Sequence, residues 1–86
     1  MTDDIRQLEI FPDKVLLKRV APEKNVCRFY LMTVQRDLFG RGVLVTEYGR
    51  IGRPGRVHVA HHKDESFALI DLARKAEAKR KRGYQG

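Results

Sequence analysis

The hydrophobic pattern of this chain changes period once, and the change divides it into a sheet-forming part and a helix-forming part. Up to about residue 62 the apolar positions alternate, and beyond it they recur at three- and four-residue spacing. Val15 to Val20 reads as a first strand, and Ala21-Pro22-Glu23-Lys24-Asn25 as the turn that ends it. Val26 to Arg36 is the longest strand candidate. It sets Cys27, Phe29, Leu31 and Thr33 on one face and Val26, Tyr30, Met32 and Val34 on the other. Apolar groups on both faces imply a central strand covered on one side by a helix. Asp37 to Gly42 reads as a hairpin connection, with Gly40 and Gly42 free to take positive φ. Val43 to Tyr48 is the next strand, Gly49 to Arg56 a glycine-dense turn, and Val57 to His62 the last strand.

The helical part starts at Asp64, a good N-cap, and places Leu69, Leu72, Ala73 and Ala76 at helical spacing. Asp64, Glu65 and Asp71 come early and Arg74, Lys75, Lys79, Arg80, Lys81 and Arg82 late, which suits the helix dipole, and Gly83 supplies the stop. The order β-β-β-β-α predicts an α+β domain: an antiparallel sheet of four or more strands with one C-terminal helix packed on a face. Phe29, Leu31, Val45, Phe67, Leu69 and Leu72 are the expected core. Residues 1–14 read as a polar lead-in, with an edge strand expected over Leu8-Glu9-Ile10-Phe11 and stopped by Pro12. The domain proper is then residues 15–86.

Composition narrows the classes. With 86 residues, 42% hydrophobic and 34% charged, the chain suits one small globular domain. No apolar run approaches the roughly 20 residues of a membrane span. Cys27 is the sole cysteine, and Met1-Thr2-Asp3-Asp4 lacks the basic-then-apolar layout of a secretion signal. Both point to a reducing cytoplasm. The net charge of +7 is uneven: residues 1–40 hold seven basic and six acidic side chains, residues 41–86 eleven and five. A one-sided positive field attracts polyanions.

Candidate chemistry gathers in two places. Tyr48-Gly49-Arg50-Ile51-Gly52-Arg53-Pro54-Gly55-Arg56 joins an aromatic to three arginines in a turn whose glycines let a phosphate approach the backbone. The same residues also fit a plain hairpin with solvated arginines. Lys79-Arg80-Lys81-Arg82 exceeds the positive charge that a helix C-terminus needs, which adds a second candidate phosphate contact. His58, His61 and His62 do not suggest a metal centre, because adjacent strand residues point to opposite faces. Ser66 lacks a nucleophile's framing, and no paired carboxylates appear. No enzyme, no cofactor and no small-molecule substrate are expected.

Several motifs carry a family resemblance. Asn25-x-x-Arg28-Phe29-Tyr30, Asp37-Leu38-Phe39-Gly40, Tyr48 to Gly55 and Lys81-Arg82-Gly83-Tyr84 together resemble the WGR domain over roughly residues 15–85. The resemblance implies a twisted antiparallel sheet with a packed helix. In DNA-damage-dependent poly(ADP-ribose) polymerases such a domain contacts a DNA end, and small bacterial proteins carry it alone. Tyr48 stands where the family has its naming Trp, and Gly49 and Arg50 match its Gly and Arg. Lys81 falls where those polymerases place a phosphate-contacting Lys. Gly42 occupies a position where many members have a second Trp. The expected function is a nucleic-acid-binding module, for DNA first, with Tyr48, Gly49, Arg50, Arg53, Arg56, Lys79, Arg80 and Lys81 as its contact residues. The alternative is a protein-interaction module that binds no nucleic acid.

Overall fold

The computed structural model describes residues 13–86. The edge strand expected over Leu8–Phe11 lies outside the described residues. Four strands follow one another, β1 (Lys14–Ala21), β2 (Val26–Arg36), β3 (Gly42–Arg50) and β4 (Arg56–His62), and the helix α1 (Glu65–Lys81) closes the order. The sheet is antiparallel throughout with strand order β1-β2-β3-β4, so β2 and β3 are central.

Local chemistry explains each connection. A 3-10 turn over Pro22–Lys24 ends at Asn25, whose φ of 55° lies in the left-handed region that Asn tolerates. In the β2–β3 hairpin, the Asp37 carboxylate accepts bonds from the Phe39 and Arg41 amides, both at 2.9 Å, and from Arg41 Nε at 2.7 Å. Gly40 takes positive φ there, but Gly42 does not: it is a buried strand residue. A Cβ on Gly42 would collide with the Asp64 carbonyl and meet Ala68 Cβ at 2.9 Å. The start of β3 therefore lies directly under the first turn of α1, with no room for a Trp.

Asp64 caps α1 by accepting from the Phe67 amide at 3.1 Å. At the other end Gly83, at φ 99°, donates its amide to Arg80 O, and Tyr84 donates to Lys79 O. These two bonds make a Schellman stop, and they turn Tyr84 back into the core. Gln85 then exchanges two backbone bonds with Lys18 on the outer edge of β1.

The core lies on one side of the sheet only. Val15, Leu17, Met32, Val34 and Leu44 face Ala68, Leu72 and Ala76 of α1, with Tyr84 completing the cluster. This corrects the expected core. Leu72 is buried, but Phe29, Leu31, Val45 and Leu69 are only partly covered, and Phe67 is half exposed. On β2 the helix covers Met32 and Val34, one residue out of phase with Phe29 and Leu31. On α1 the contact stripe is Ala68-Leu72-Ala76, and Phe67 and Leu69 flank it. Alanine at the contact line lets the helix approach the strands closely, so the larger side chains are left at its margins. Among the described residues nothing covers the opposite face, where Leu16, Val20, Val57 and Val59 are exposed.

Candidate functional site

Antiparallel register turns the sequence into rows, because directly paired residues point to the same face. Leu17, Tyr30, Tyr48 and Arg56 form one row on the helix side of the sheet. Arg19, Arg28 and Arg50 form the next row toward the sheet end. Leu17 is buried, and the rest of these two rows lies where α1 terminates, so the helix cannot cover them fully.

Three tyrosines organise this end. The Tyr30 and Tyr48 rings stack with centroids 5.2 Å apart and planes 11° from parallel, and Tyr84 meets Tyr30 edge-on at 5.4 Å. Lys79 Nζ sits 3.9 Å from the centre of the Tyr30 ring and 5.7 Å from that of Tyr84. Cation–π attraction at that range fixes both the lysine and the ring. Tyr30 is thus engaged by three neighbours. Tyr48 is engaged by Tyr30 on one side only, and its other side lies toward β4 and Arg56.

Around Tyr48 runs a groove of about 520 Å³ lined by Arg28, Tyr30, Tyr48, Arg50, Arg56 and Tyr84, among others. A second groove of about 420 Å³, between sheet and helix, shares Tyr30 and Tyr48 and adds His58, Lys75, Lys79 and Arg82. No carboxylate lines either one. Arg50 is held in place: its guanidinium donates to Asn25 Oδ1 at 3.0 Å and to Asn25 O at 3.4 Å.

Of the eight residues singled out from sequence, Tyr48, Gly49, Arg50 and Arg56 line the first groove and Lys79 the second. Arg53, Arg80 and Lys81 are exposed and line neither. Gly49 has a packing reason of its own. A Cβ there would stand 3.1 Å from Gly55 Cα, and one on Gly55 would stand 2.7 Å from Tyr48 O. The two glycines let β3 and the turn into β4 press together. Arg82, part of the basic run at the helix end, also lines the second groove, whereas sequence alone gives Arg28, Tyr30 and Tyr84 no contact role. The register that pairs Tyr30 with Tyr48 and Arg28 with Arg50 is the signal that finds the first two, and the Gly83 helix stop is what brings in Tyr84.

The histidines separate as strand alternation requires. His62 Nε2 lies 2.9 Å from Asp71 Oδ2, and Lys75 Nζ lies 2.9 Å from the same oxygen. Burial pushes the Asp71 carboxyl up, but the Lys75 and His62 hydrogen bonds and charges outweigh it and hold the group below its usual range. Among the described residues no three His, Cys, Asp or Glu side chains converge as a metal site would require. No helix of the described residues is long and apolar enough to cross a membrane.

A family model described as the WGR domain matches residues 13–86. A protein of Sinorhizobium fredii described as uncharacterized is 38% identical over 77 residues, which is 86% of this chain and 36% of the relative. The chain therefore spans about a third of that relative's length. No solved structure matches.

Proposed function

This chain belongs to the WGR domain family, and from that premise we propose that it is a non-enzymatic nucleic-acid-binding module of the cytoplasm, acting on DNA first. The observation that carries the reading is the Tyr48 ring, backed by Tyr30 at 5.2 Å and set among Arg28, Arg50 and Arg56 in a groove lined by no carboxylate. A ring held flat from behind presents its free side to a sugar or base without losing rotamer freedom on binding. Tyr in place of the family Trp keeps this stacking with less area and adds a hydroxyl. Forked guanidinium groups beside it pair with phosphate oxygens. Arg53, Arg80 and Lys81 add longer-range attraction from the rim.

Binding to blunt, nicked and single-stranded DNA and to RNA, measured over a salt series, tests the proposal. The slope of log K against log salt is expected near −0.9 per neutralised phosphate on duplex and near −0.7 on single strands. No binding to any of them at about 50 mM salt would overturn it. The alternative, a protein-interaction module, would then stand. It draws on the side chains left exposed on the far side of the sheet, including Val57 and Val59.

A further inference from the structure

The two outer edges of the sheet are not alike. Along β1, Lys14 and Lys18 are exposed, and Gln85 exchanges two backbone bonds with Lys18. Lysines and a covering segment are how a native sheet keeps its edge from pairing with another chain. The edge of β4 has neither. Among the described residues no backbone group pairs with its outer side. Its seven residues, Arg56-Val57-His58-Val59-Ala60-His61-His62, contain no Lys, Pro, Asp or Glu. Its register with β3 runs from Tyr48↔Arg56 to Gly42↔His62 without a bulge. Val57 and Val59 stand exposed on it, although valine is suited to a covered strand.

We infer that β4 is the contact by which two copies of this chain join, edge to edge, into one continuous antiparallel sheet. The strand is complementary to itself. Turned end for end about Val59, it sets Val59 against Val59, Val57 against His61 and His58 against Ala60 of the second copy. Arg56, its one fixed charge, lands opposite the second copy's His62, whose ring meets the Asp71 carboxylate at 2.9 Å. No two arginines face each other, and each arginine comes beside a pair that holds a carboxylate. On the bare face Val45 and Val59 share a row, and the pairing continues it through the second copy's Val59 and Val45. Cross-strand pairs of β-branched residues stabilise a sheet. A two-fold axis normal to the sheet keeps both helices on one side. Arg56 and His58 line the grooves beside Tyr48, so the second copy's Arg56 and His58 join the same floor. The two β3 strands then stand three strand spacings apart, about 14 Å. Assembly of this kind is independent of what the grooves bind.

Sedimentation equilibrium of the full chain, over about a hundredfold range of concentration up to about 1 mM, tests the contact. A reversible monomer–dimer equilibrium is expected, because a seven-residue strand edge falls in the class of small interfaces, below about 1,200 Å². Val59→Lys should weaken the dimer about tenfold or more, since like charges then face each other across it. Val59→Glu should do the same. Mixed together, the two variants should recover dimers, because Lys then faces Glu. Val20→Lys changes an exposed valine on the same face of the opposite edge strand and should leave the dimer intact. Melting curves show that each variant is folded. In the wild type, amide exchange along β4 should slow as concentration rises, a readout that needs no variant. A chain that stays monomeric throughout overturns the inference. So does a dimer that Val59→Lys spares, that Val20→Lys breaks as readily, or that the mixed variants fail to recover. A dimer that leaves exchange along β4 unchanged overturns it as well.

Discussion

The two faces of the sheet are built from the same four strands and meet opposite fates. On the helix side, Leu17, Met32 and Leu44 are all but fully enclosed, whereas across the sheet Val20 and Val57 stay about 60% exposed. Both faces are rich in apolar residues, so composition does not decide which becomes the core. The helix decides, by where its small-residue stripe can approach closely. The candidate site lies at the end of the enclosed face, where α1 stops and the aromatic and arginine rows emerge from beneath it. One face therefore supplies both the stability of the domain and the frame of its groove.

The largest expected effect separates the faces directly. Leu72→Ala removes a buried side chain at the centre of the helix stripe and should cost about 2–5 kcal/mol. Val57→Ala on the bare face should stay within about 0.5 kcal/mol, as for surface changes away from special features. Urea denaturation of both variants checks the contrast. An equal loss for Val57→Ala would mean that the bare face is covered in solution.

Much of this fold was legible from the sequence. The four strands, the Asp64 cap and the Gly83 stop rest on local chemistry, and the structure agrees with each. The choice of face was not legible. Phe29 and Leu31 are as apolar as Met32 and Val34, and strand alternation is blind to which side a helix will take. The helix stripe was misread for a related reason: its contact line is mostly alanine, whose hydrophobic signal is weaker than that of the flanking Phe67 and Leu69. In the site, Tyr48 and Arg50 stand out within one contiguous segment. Arg28, Tyr30 and Tyr84 lie in motifs that flank this segment, but their place at the groove depends on strand pairing and on the helix stop, which are not local in sequence.

Gly42 offers a sharper break at the covered face. Gly42→Ala would force a carbon into the Asp64 carbonyl and against Ala68, lifting the first turn of α1. Overpacking of this kind costs about 1–3 kcal/mol. Gly52→Ala, in a turn with open space around it, would lack the clash and carry only the strain of a φ of 89°. Thermal melts of the two variants, with helix content followed at 222 nm, report whether the α1 N-terminus is the part that loosens. An undisturbed Gly42→Ala would show that the helix sits farther from β3.

At the exposed end of the enclosed face, the expected effects fall on binding. Tyr48→Ala should weaken nucleic-acid binding by about 1–3 kcal/mol, and the loss should persist at high salt, because stacking is not screened. Arg50→Ala should lose a similar amount at low salt but flatten the salt slope by about one phosphate. Tyr48→Trp should hold or improve affinity. If Tyr48→Ala loses its effect as salt rises, the ring acts only by placing the arginines.

The smallest expected effect concerns two neighbours in sequence that alternation sends to opposite faces. His62 points to the helix side and meets Asp71, which Lys75 also holds; His61 points to the bare side and is exposed. The Asp71 carboxyl is only partly shielded, so its pairs belong to the weak class, and Asp71→Asn should cost about 1 kcal/mol or less at neutral pH. The pH dependence carries more information than the size. Because the folded-state pKa of Asp71 is lowered, its contribution is present above the ordinary carboxylate range and is lost as pH falls through the folded pKa. The stability gap between wild type and Asp71→Asn should therefore be full near pH 7 and close progressively under acid conditions. Urea midpoints at stepped pH measure it. A gap that stays constant into strong acid would show that the Asp71 side chain fastens α1 to β4 by packing rather than by its charge.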